Sequence, residues 1–279
     1  MKKQLFLLFF FFYTTHFFAQ NSLTVSDVRN SWYTYQGTIE KATLSIRPQG
    51  LYMEYGLYLT FSARGVNFGT LGDSLEVVLN FSLPAGSIIH DSWLWVGDDI
   101  VKAHILDHWS ATNIYEGIVK RRKDPSILTK QSATQYQLRV FPMHKASTRR
   151  VKITWLQPAD LYTDRTEMSL PFHILQTSRN VVLSGLNLLV WPHERLKNPS
   201  FPDYPLMSFF AENDSVGGAF LRATFPHEYY SKAPRLHLSS PLQNGYYLST
   251  RTEGGEGFYQ LAFLPSQFVP QKHQKKVAI

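Results

Sequence analysis

The sequence contains no cysteine, and this absence excludes disulfide bonds, thiolate metal sites and cysteine nucleophiles together. It also lacks an internal repeat at a fixed period, a low-complexity tract, a glycine-rich phosphate loop and a Gly-x-Ser-x-Gly motif. No pair of carboxylates has the pattern of a catalytic acid and base. We therefore expect a protein that is not an enzyme, and whose stability comes from its core and from sheet pairing.

Hydrophobic residues make up 44% of the 279 residues and aromatic residues 15%, which is ample for a folded core. The formal net charge is +7, and it falls to +5 if Lys2 and Lys3 leave with an N-terminal leader. A charge of this size favours acidic partners only weakly. We expect no nucleic-acid partner, because no recognised nucleic-acid-binding fold accompanies the charge.

The N-terminus has the pattern of a secretory signal peptide. Lys2 and Lys3 precede an apolar run over residues 5–13, and the chain turns polar after Ala19 and Gln20. A membrane-spanning helix needs about 20 apolar residues, and His16 interrupts this run. We predict that residues 1–20 are removed and that the protein is exported to the periplasm, the outer envelope or the extracellular space, with no transmembrane segment left.

Residues 21–35 read as a lead-in, and period-two alternation then predicts a series of strands. These predicted strands cover residues 38–46, 51–62, 74–82, 92–96, 100–106, 136–141 and 151–154. Gly97, Asp98 and Asp99 predict a hairpin turn. Ser110 is an expected N-cap for one short helix that runs to Val119. Residues 36–162 are therefore expected to form a β-sandwich-like domain with a single packed helix.

A second β-rich segment is predicted over residues 163–272, either as an extension of the first sandwich or as a connector. Its strand candidates are residues 181–191, 206–210, 219–225, 235–239, 246–251 and 257–264. Prolines between residues 192 and 205 indicate a loop in its middle. The predicted fold class is therefore all-β throughout.

Five blocks of sequence follow one another in a characteristic order between residues 81 and 155. They are the segment ending in Leu83 and Pro84 with the tryptophan strand after it, the pair Tyr115 and Glu116, the turn at Asp124 and Pro125, the pair Phe141 and Pro142, and the basic strand Arg149–Trp155. This order resembles the VIT domain, the vault protein and inter-alpha-trypsin module, in the form that bacteria place ahead of a von Willebrand factor A domain. The resemblance implies a structural role for these residues.

Residues 273–279 look like a basic lead into the buried strand that opens a von Willebrand A domain. In the proteins of this resemblance, an Asp-x-Ser-x-Ser loop follows that strand and binds a divalent metal. This loop is not in the sequence, so we expect no cofactor in this chain and a divalent metal only if an A domain follows. The apolar end at Val277, Ala278 and Ile279 leads us to expect a truncated domain there.

Lys120, Arg121, Arg122 and Lys123 form the densest run of charge. The run is the sequence's candidate site for an anionic partner. A solvated helix end is the alternative, because cations are favoured near a helix C-terminus. Trp93 and Trp95 share a strand face and are interpreted as core residues, although aromatics of this kind could also line a carbohydrate or peptide site.

Three weaker patterns suggest chemistry. His104 and His108 are four residues apart, as a zinc pair on a helix would be, but His104 falls in a predicted strand and no third ligand follows. His108 and Ser110, with Asp107, contain the residue types of a catalytic triad without its other signatures. Asp98 and Asp99 could share a calcium ion, although a Gly-Asp-Asp turn between two strands is the commoner explanation. We predict no catalytic residues and no metal site.

These observations favour an exported, non-enzymatic interaction or adhesion module of the cell envelope, whose partner is a protein or an anionic polysaccharide at the cell surface. A structural or assembly subunit of an envelope complex is the alternative hypothesis. A hydrolase built on His104, His108 and Ser110 is a third hypothesis from a different class.

Overall fold

The computed structural model describes residues 21–68, 74–103, 115, 126–181, 185–193, 195–215, 217–232, 234–242 and 244–267, without the side chain of Ser31. Strands dominate these residues, which confirms the predicted all-β class. In chain order the strands are β1 (Ser22–Asp27), β2 (Asn30–Gln36), β3 (Thr38–Gln49), β4 (Tyr52–Ser62), β5 (Leu75–Ser82), β6 (Ile88–Val96), β7 (Asp99–Lys102), β8 (Ser126–Lys130), β9 (Gln135–Met143), β10 (Thr148–Pro158), β11 (Asp160–Leu161), β12 (Arg165–Ser169), β13 (Leu186–Val190), β14 (Phe210–Asp214), β15 (Gly218–Phe225), β16 (Arg235–Ser239), β17 (Tyr246–Glu253) and β18 (Glu256–Phe263).

Helical structure is scarce in the described residues. One short α-helix, α1 (Phe172–Leu175), and two 3₁₀ turns (His227–Lys232 and Pro265–Gln267) are present. The helix predicted over residues 110–119 lies outside the described residues, except for Tyr115, whose backbone is helical. No helix in the described part of the chain has the length and apolar character needed to cross a membrane.

Two large sheets form the body of the molecule. One has five strands in the order β2-β1-β5-β9-β8, and the other has eight in the order β14-β15-β13-β3-β4-β10-β6-β7. Residues 21–35, predicted as a lead-in, include β1 and most of β2, and β1 pairs antiparallel with β5. A smaller sheet has the order β11-β12-β16, and β17 and β18 form a separate hairpin.

Period-two alternation explains why the central strands form a sandwich. In β4, Tyr55, Leu57 and Leu59 are buried, whereas the residues between them face the other way. They join Val25 of β1 and Val77 of β5 in one hydrophobic cluster that includes residues of both large sheets. Burial of this apolar surface is the main source of the sandwich's stability.

The downstream segment extends the eight-stranded sheet. β13 pairs in parallel with β3, with Leu188 opposite Leu44, and β15 pairs antiparallel with β13 on its other side. Leu188 and Phe225 belong to the same hydrophobic cluster as the upstream strands. β13, β14 and β15 therefore extend the eight-stranded sheet, whereas β12 and β16 belong to the smaller sheet and β17 and β18 form a separate hairpin.

The predicted strand over residues 206–210 is wrong. Leu206 is 97% exposed and lies in a turn, and β14 begins only at Phe210. Pro205 lies in the same turn, and proline cannot donate to a ladder of backbone hydrogen bonds. The remaining downstream strand candidates overlap β13, β15, β16, β17 and β18.

Candidate functional site on the open sheet face

The eight-stranded sheet buries one face and leaves the centre of the other face open. Residues of β3, β4, β6, β10 and β13 that alternate with the core residues line a cleft of about 610 Å³ on this open face. The floor contains Ser45, Gly56 and Thr154, and the two sides carry Trp93 and Trp191. A cleft of this volume falls within the range of about 300–1,000 Å³ that is usual for small-ligand sites.

The structure corrects the interpretation of Trp93 and Trp95 as core residues. Ser92 and Leu94 face the core, with 4% and 0% of their surface exposed, and the two tryptophans are half-buried on the open face. Their ring centroids lie 5.8 Å apart. The indole N–H of Trp93 donates a hydrogen bond to the carboxylate of Asp91. The pair therefore occupies the position that the alternative interpretation, a ligand-binding face, requires.

Basic side chains lie over the aromatic rings of the open face. The Lys152 Nζ is 4.1 Å from the centre of the Trp93 ring, and the Arg150 Cζ is 4.2 Å from that of Trp95. On the opposite side of the cleft, the Arg47 Cζ is 4.1 Å from the centre of the Trp191 ring. Each such contact stabilises the charged group by roughly 0.5–2 kcal/mol, more as it is desolvated. The rings therefore hold these cations in place.

Partial burial changes the electrostatics of the cleft. Burial lowers the pKa of Lys152 below its ordinary value of 10.5, while the carboxylates of Asp91 and Glu54 act in the opposite direction. Burial also raises the pKa of Tyr58. Since burial disfavours the charged form of an amine, an additional negative charge near Lys152 would be favourable.

The floor of the cleft depends on Gly56. A Cβ at this position would lie 2.4 Å from the Ser45 Oγ and 3.3 Å from the Lys152 Cε, so a larger residue would displace both. The Ser45 hydroxyl donates to the carbonyl of Gly56 at 3.2 Å. Thr154, next to this position on β10, is 3% exposed, and its hydroxyl has no hydrogen-bond partner within the described structure. The floor thus carries a buried polar group that is not satisfied by the protein, which is uncommon.

The basic run Lys120, Arg121, Arg122 and Lys123 lies outside the described residues, as do Glu116, Asp124 and Pro125. The run's predicted role in anion binding therefore stays a prediction. Among the other residues of the sequence motifs, Leu83 and Phe141 are buried, Pro142 is half-buried and Pro84 is exposed. None of these four lines the cleft.

Tyr115 packs against the five-stranded sheet. It is 2% exposed and clusters with Ile127 and Phe141. Its hydroxyl donates to the carboxylate of Glu76, and the Arg139 Cζ lies 4.7 Å from its ring centre. Arg139 also forms an ion pair with Glu76 at 3.0 Å. This arrangement buries a tyrosine whose polar end is satisfied, as a structural anchor requires.

The three weaker chemical patterns have different outcomes. His104, Asp107, His108 and Ser110 all lie outside the described residues. Asp98 lies in the turn between β6 and β7, and Asp99 begins β7. Gly97 adopts φ 64° at this turn, as the predicted hairpin requires. No group of three or more potential metal ligands is present in the part of the chain that the structure describes.

Sequence reasoning did not identify Arg47, Arg150 or Thr154 as site residues, and it considered Trp191 only as one of several tryptophans that could line a carbohydrate or peptide site. The sequence feature that could have identified them is the alternation of polar and apolar residues, as on β10, where Lys152 separates Val151 and Ile153. What the alternation could not supply was the pairing of strands. Trp191 and Arg47 approach one another only because β13 lies beside β3.

Two packed, mainly antiparallel sheets with a charged, aromatic open face define a β-sandwich-type module with one candidate ligand cleft among its described residues. Residues 59–155 match the family model of the Vault protein inter-alpha-trypsin domain. This match confirms the resemblance to a VIT domain over these residues, and the association with a von Willebrand A domain stays a prediction. Trp93, Lys152 and Thr154 lie within the matched residues, whereas Arg47 and Trp191 lie outside them. Comparison with curated proteins gave no match.

Several solved structures have a related arrangement at very low sequence identity. A proposed nutrient-binding protein from Legionella pneumophila is 12% identical, with a TM-score of 0.45, over 80% of this chain and 72% of that protein. An M1 zinc metallopeptidase from Deinococcus radiodurans is 11% identical, with a TM-score of 0.40, over 81% of this chain. This chain covers only 47% of that peptidase. Because both TM-scores are below 0.5, neither likeness carries an argument about function.

Proposed function

We propose that this chain is an exported, non-enzymatic interaction module of the cell envelope, and that it binds its partner through the open face of the eight-stranded sheet. The observation that carries this proposal is the cleft between Trp93 and Trp191, where cations rest on aromatic rings and the Thr154 hydroxyl has no partner. None of these features is needed to pack the core. The VIT match supports the broader statement that the chain is a protein-interaction module.

Export is the other half of the proposal. The leader pattern over residues 1–20 supports export. An exported chain without cysteine would depend on its core and its sheet pairing for stability. Adhesion at the cell surface is the form of interaction that we infer. The positive net charge of the chain and the cations of the open face suit an acidic surface polymer or an acidic protein partner.

The test is to produce the full chain in a bacterial host, fractionate the cells and measure the intact mass of the product. We expect a mature chain that has lost about 20 residues, recovered with the envelope and released by a high-salt wash. A double variant, Trp93→Ala with Lys152→Met, should be recovered in the soluble fraction instead. The matched control is Trp32→Ala with Lys197→Met, because both residues are exposed and neither lines the cleft.

An uncleaved product confined to the cytoplasm would overturn the export half of the proposal. Envelope retention that is the same in wild type, the open-face variant and the control would overturn the assignment of the open face. Each variant must first show a wild-type thermal transition, so that a loss of retention reports binding and not unfolding.

A structural or assembly subunit is the second candidate function, and the β17–β18 hairpin favours it. Leu248 lies opposite Leu261, and Thr250 lies opposite Tyr259. Leu248 and Leu261 are each 49% exposed, and Tyr259 is 75% exposed. The other face of the hairpin turns towards the body, where the Leu51 N–H donates to the Gln260 side chain at 2.8 Å. An outward apolar sheet face is typical of a lasting protein contact.

This alternative predicts co-purification with one envelope protein that resists high salt, since burial of apolar surface is not screened. Leu248→Ser with Leu261→Ser should abolish the co-purification and leave the salt-sensitive retention unchanged. Salt-resistant co-purification that survives this change would remove the hairpin as the contact.

A further inference from the structure

The open-face cleft has the shape and chemistry of a site for one class of ligand. Its floor is short side chains and Gly56, so that a ligand can lie close to the sheet between the two tryptophan sides. Its volume of about 610 Å³ suits a segment of a few rings, within the usual range of about 300–1,000 Å³ for ligand sites.

The charges around the cleft select an acidic ligand. Lys41, Arg47, Arg150 and Lys152 line it, against the carboxylates of Glu54 and Asp214. Glu54 pairs with His90 at 3.4 Å, and none of the ion pairs between described residues involves Arg47, Arg150 or Lys152. The aromatic rings beneath these three cations hold their charged groups in place. Cations held in place in this way bind anions with little loss of side-chain entropy.

The polar floor indicates a ligand rich in hydroxyl groups. A buried hydroxyl without a partner costs about 1–3 kcal/mol, and Thr154 carries such a hydroxyl at the bottom of the cleft. The Thr154 oxygen is shielded from solvent, so it marks the floor as polar without itself contacting a ligand. The carboxylate of Glu54 lines the cleft; it accepts hydrogen bonds and cannot donate them, so it suits a hydroxyl of the same ligand.

The backbone around the cleft argues against an extended peptide. β4 is paired with β3 on one side and with β10 on the other, so its backbone groups are used in the sheet. Recognition of a peptide by strand addition needs an open edge. The face offers only side-chain groups, which match the side-on hydroxyls and acidic groups of a sugar chain.

We propose that the open-face cleft is the binding site for an acidic oligosaccharide, with the acidic groups of the ligand on Arg47, Arg150 and Lys152. This inference rests on the proposed function and adds the ligand class of its site. It also separates the site from the basic run Lys120–Lys123, which the sequence alone had favoured for an anionic partner.

The experiment measures binding of the mature chain to polygalacturonate and to heparin by affinity electrophoresis and calorimetry. We expect binding to at least one of these polymers that weakens with salt, and no binding to neutral dextran. Lys152→Met should weaken it by about tenfold, the effect of losing one hydrogen bond to a charged group. Lys197→Met, an equal loss of charge outside the cleft, should leave the affinity unchanged, as should neutralising Lys120 to Lys123.

Four results would overturn the inference. They are the absence of binding to either acidic polymer by the folded wild type, equal binding to dextran, equal or tighter binding to polyglutamate, and a loss of affinity on neutralising the basic run but not on Lys152→Met. Envelope retention that needs Trp93 and Lys152 without polysaccharide binding would defeat this inference and leave the proposed function standing. A difference between polygalacturonate and heparin would distinguish carboxylate from sulfate as the acidic group.

Discussion

The two faces of the eight-stranded sheet are built from the same strands and have opposite chemistry. On β4, Tyr55 and Leu57 face the core with 0% and 1% of their surface exposed, whereas Glu54, Gly56 and Tyr58, which alternate with them, line the cleft. The side chains of the core face are aliphatic and aromatic, and they pack against one another. The open face holds cations on rings and the Thr154 hydroxyl without a partner.

This difference assigns stability to the core face of the sheet and ligand binding to its open face. Successive side chains of a strand point to opposite faces of the sheet. The residues of one face can therefore be selected for packing and those of the other face for ligand contact, with little interference. The core face should respond to substitution by changes in the free energy of unfolding. The open face should respond by changes in affinity, and in one case by a gain of stability.

The largest expected effect is on the core face. Trp155 is fully buried and its ring stacks on Tyr55 with centroids 5.0 Å apart. Trp155→Ala should lower the free energy of unfolding by about 3–5 kcal/mol, because it removes packing and leaves a cavity. Urea denaturation followed by circular dichroism measures this loss. Trp95→Ala on the open face is the control and should cost clearly less; an equal loss would contradict the division between the faces.

The next effect tests whether the core face continues into the downstream segment. Leu188 of β13 is fully buried opposite Leu44 of β3. Leu188→Ala should cost about 2–5 kcal/mol and shift a single unfolding transition, because both strands contribute to one hydrophobic cluster. Two separate transitions, with only one of them shifted, would show that the downstream segment unfolds on its own.

A smaller effect of opposite sign is expected at the floor of the cleft. Thr154→Val keeps the shape of the side chain and removes a buried hydroxyl without a partner. The ligand-free chain should therefore gain about 1 kcal/mol in the free energy of unfolding. The matched control is Thr43→Val, at a half-buried position of the same cleft, which should change little. A loss of stability in Thr154→Val would mean that the hydroxyl is satisfied, and would contradict this prediction.

The smallest expected effect is a pH dependence that has opposite signs for stability and for binding. Burial lowers the pKa of Lys152, and the groups that act on it are Asp91, Glu54, Arg47 and Lys102. Its charged form is disfavoured in the folded chain, so its contribution to stability rises as the pH rises from the lowered pKa towards the ordinary value of 10.5. Affinity for an acidic ligand should fall over the same window, because the positive charge is lost.

The measurement compares wild type with Lys152→Met in denaturation and binding series across this alkaline window. Wild type should show the rise in stability and the fall in affinity, and Lys152→Met should lack both. Identical pH profiles for both proteins would show that other groups are responsible.

Much of the fold could be predicted from local pattern. Alternation predicted β3, β4, β5, β9 and β10, and the Gly97 turn predicted the β6–β7 hairpin. The strand prediction failed at residues 206–210, where Leu206 lies in a turn with Pro205. The short helix α1 was not predicted. A four-residue helix has too few turns to show a periodicity, which explains its omission.

The candidate site was less predictable, and the tryptophans show why. The sequence placed Trp93 and Trp95 on one face of a strand, which the structure confirms. It could not say which face is buried, because two alternate sets of residues are equivalent until the position of the second sheet is known. On β6 the core side is taken by Ser92 and Leu94, which a preference for large apolar residues inside would not have selected.

The sequence by itself determined the all-β class, the VIT match and the set of side chains that share each strand face, since all three depend on local order along the chain. Only the tertiary structure decided which face is open and which strands are neighbours. β13 lies in parallel beside β3 although Leu186 and Ala42 are far apart in sequence. That long-range pairing brings Arg47 and Trp191 to the same cleft as Trp93 and Lys152, and no local pattern contains it.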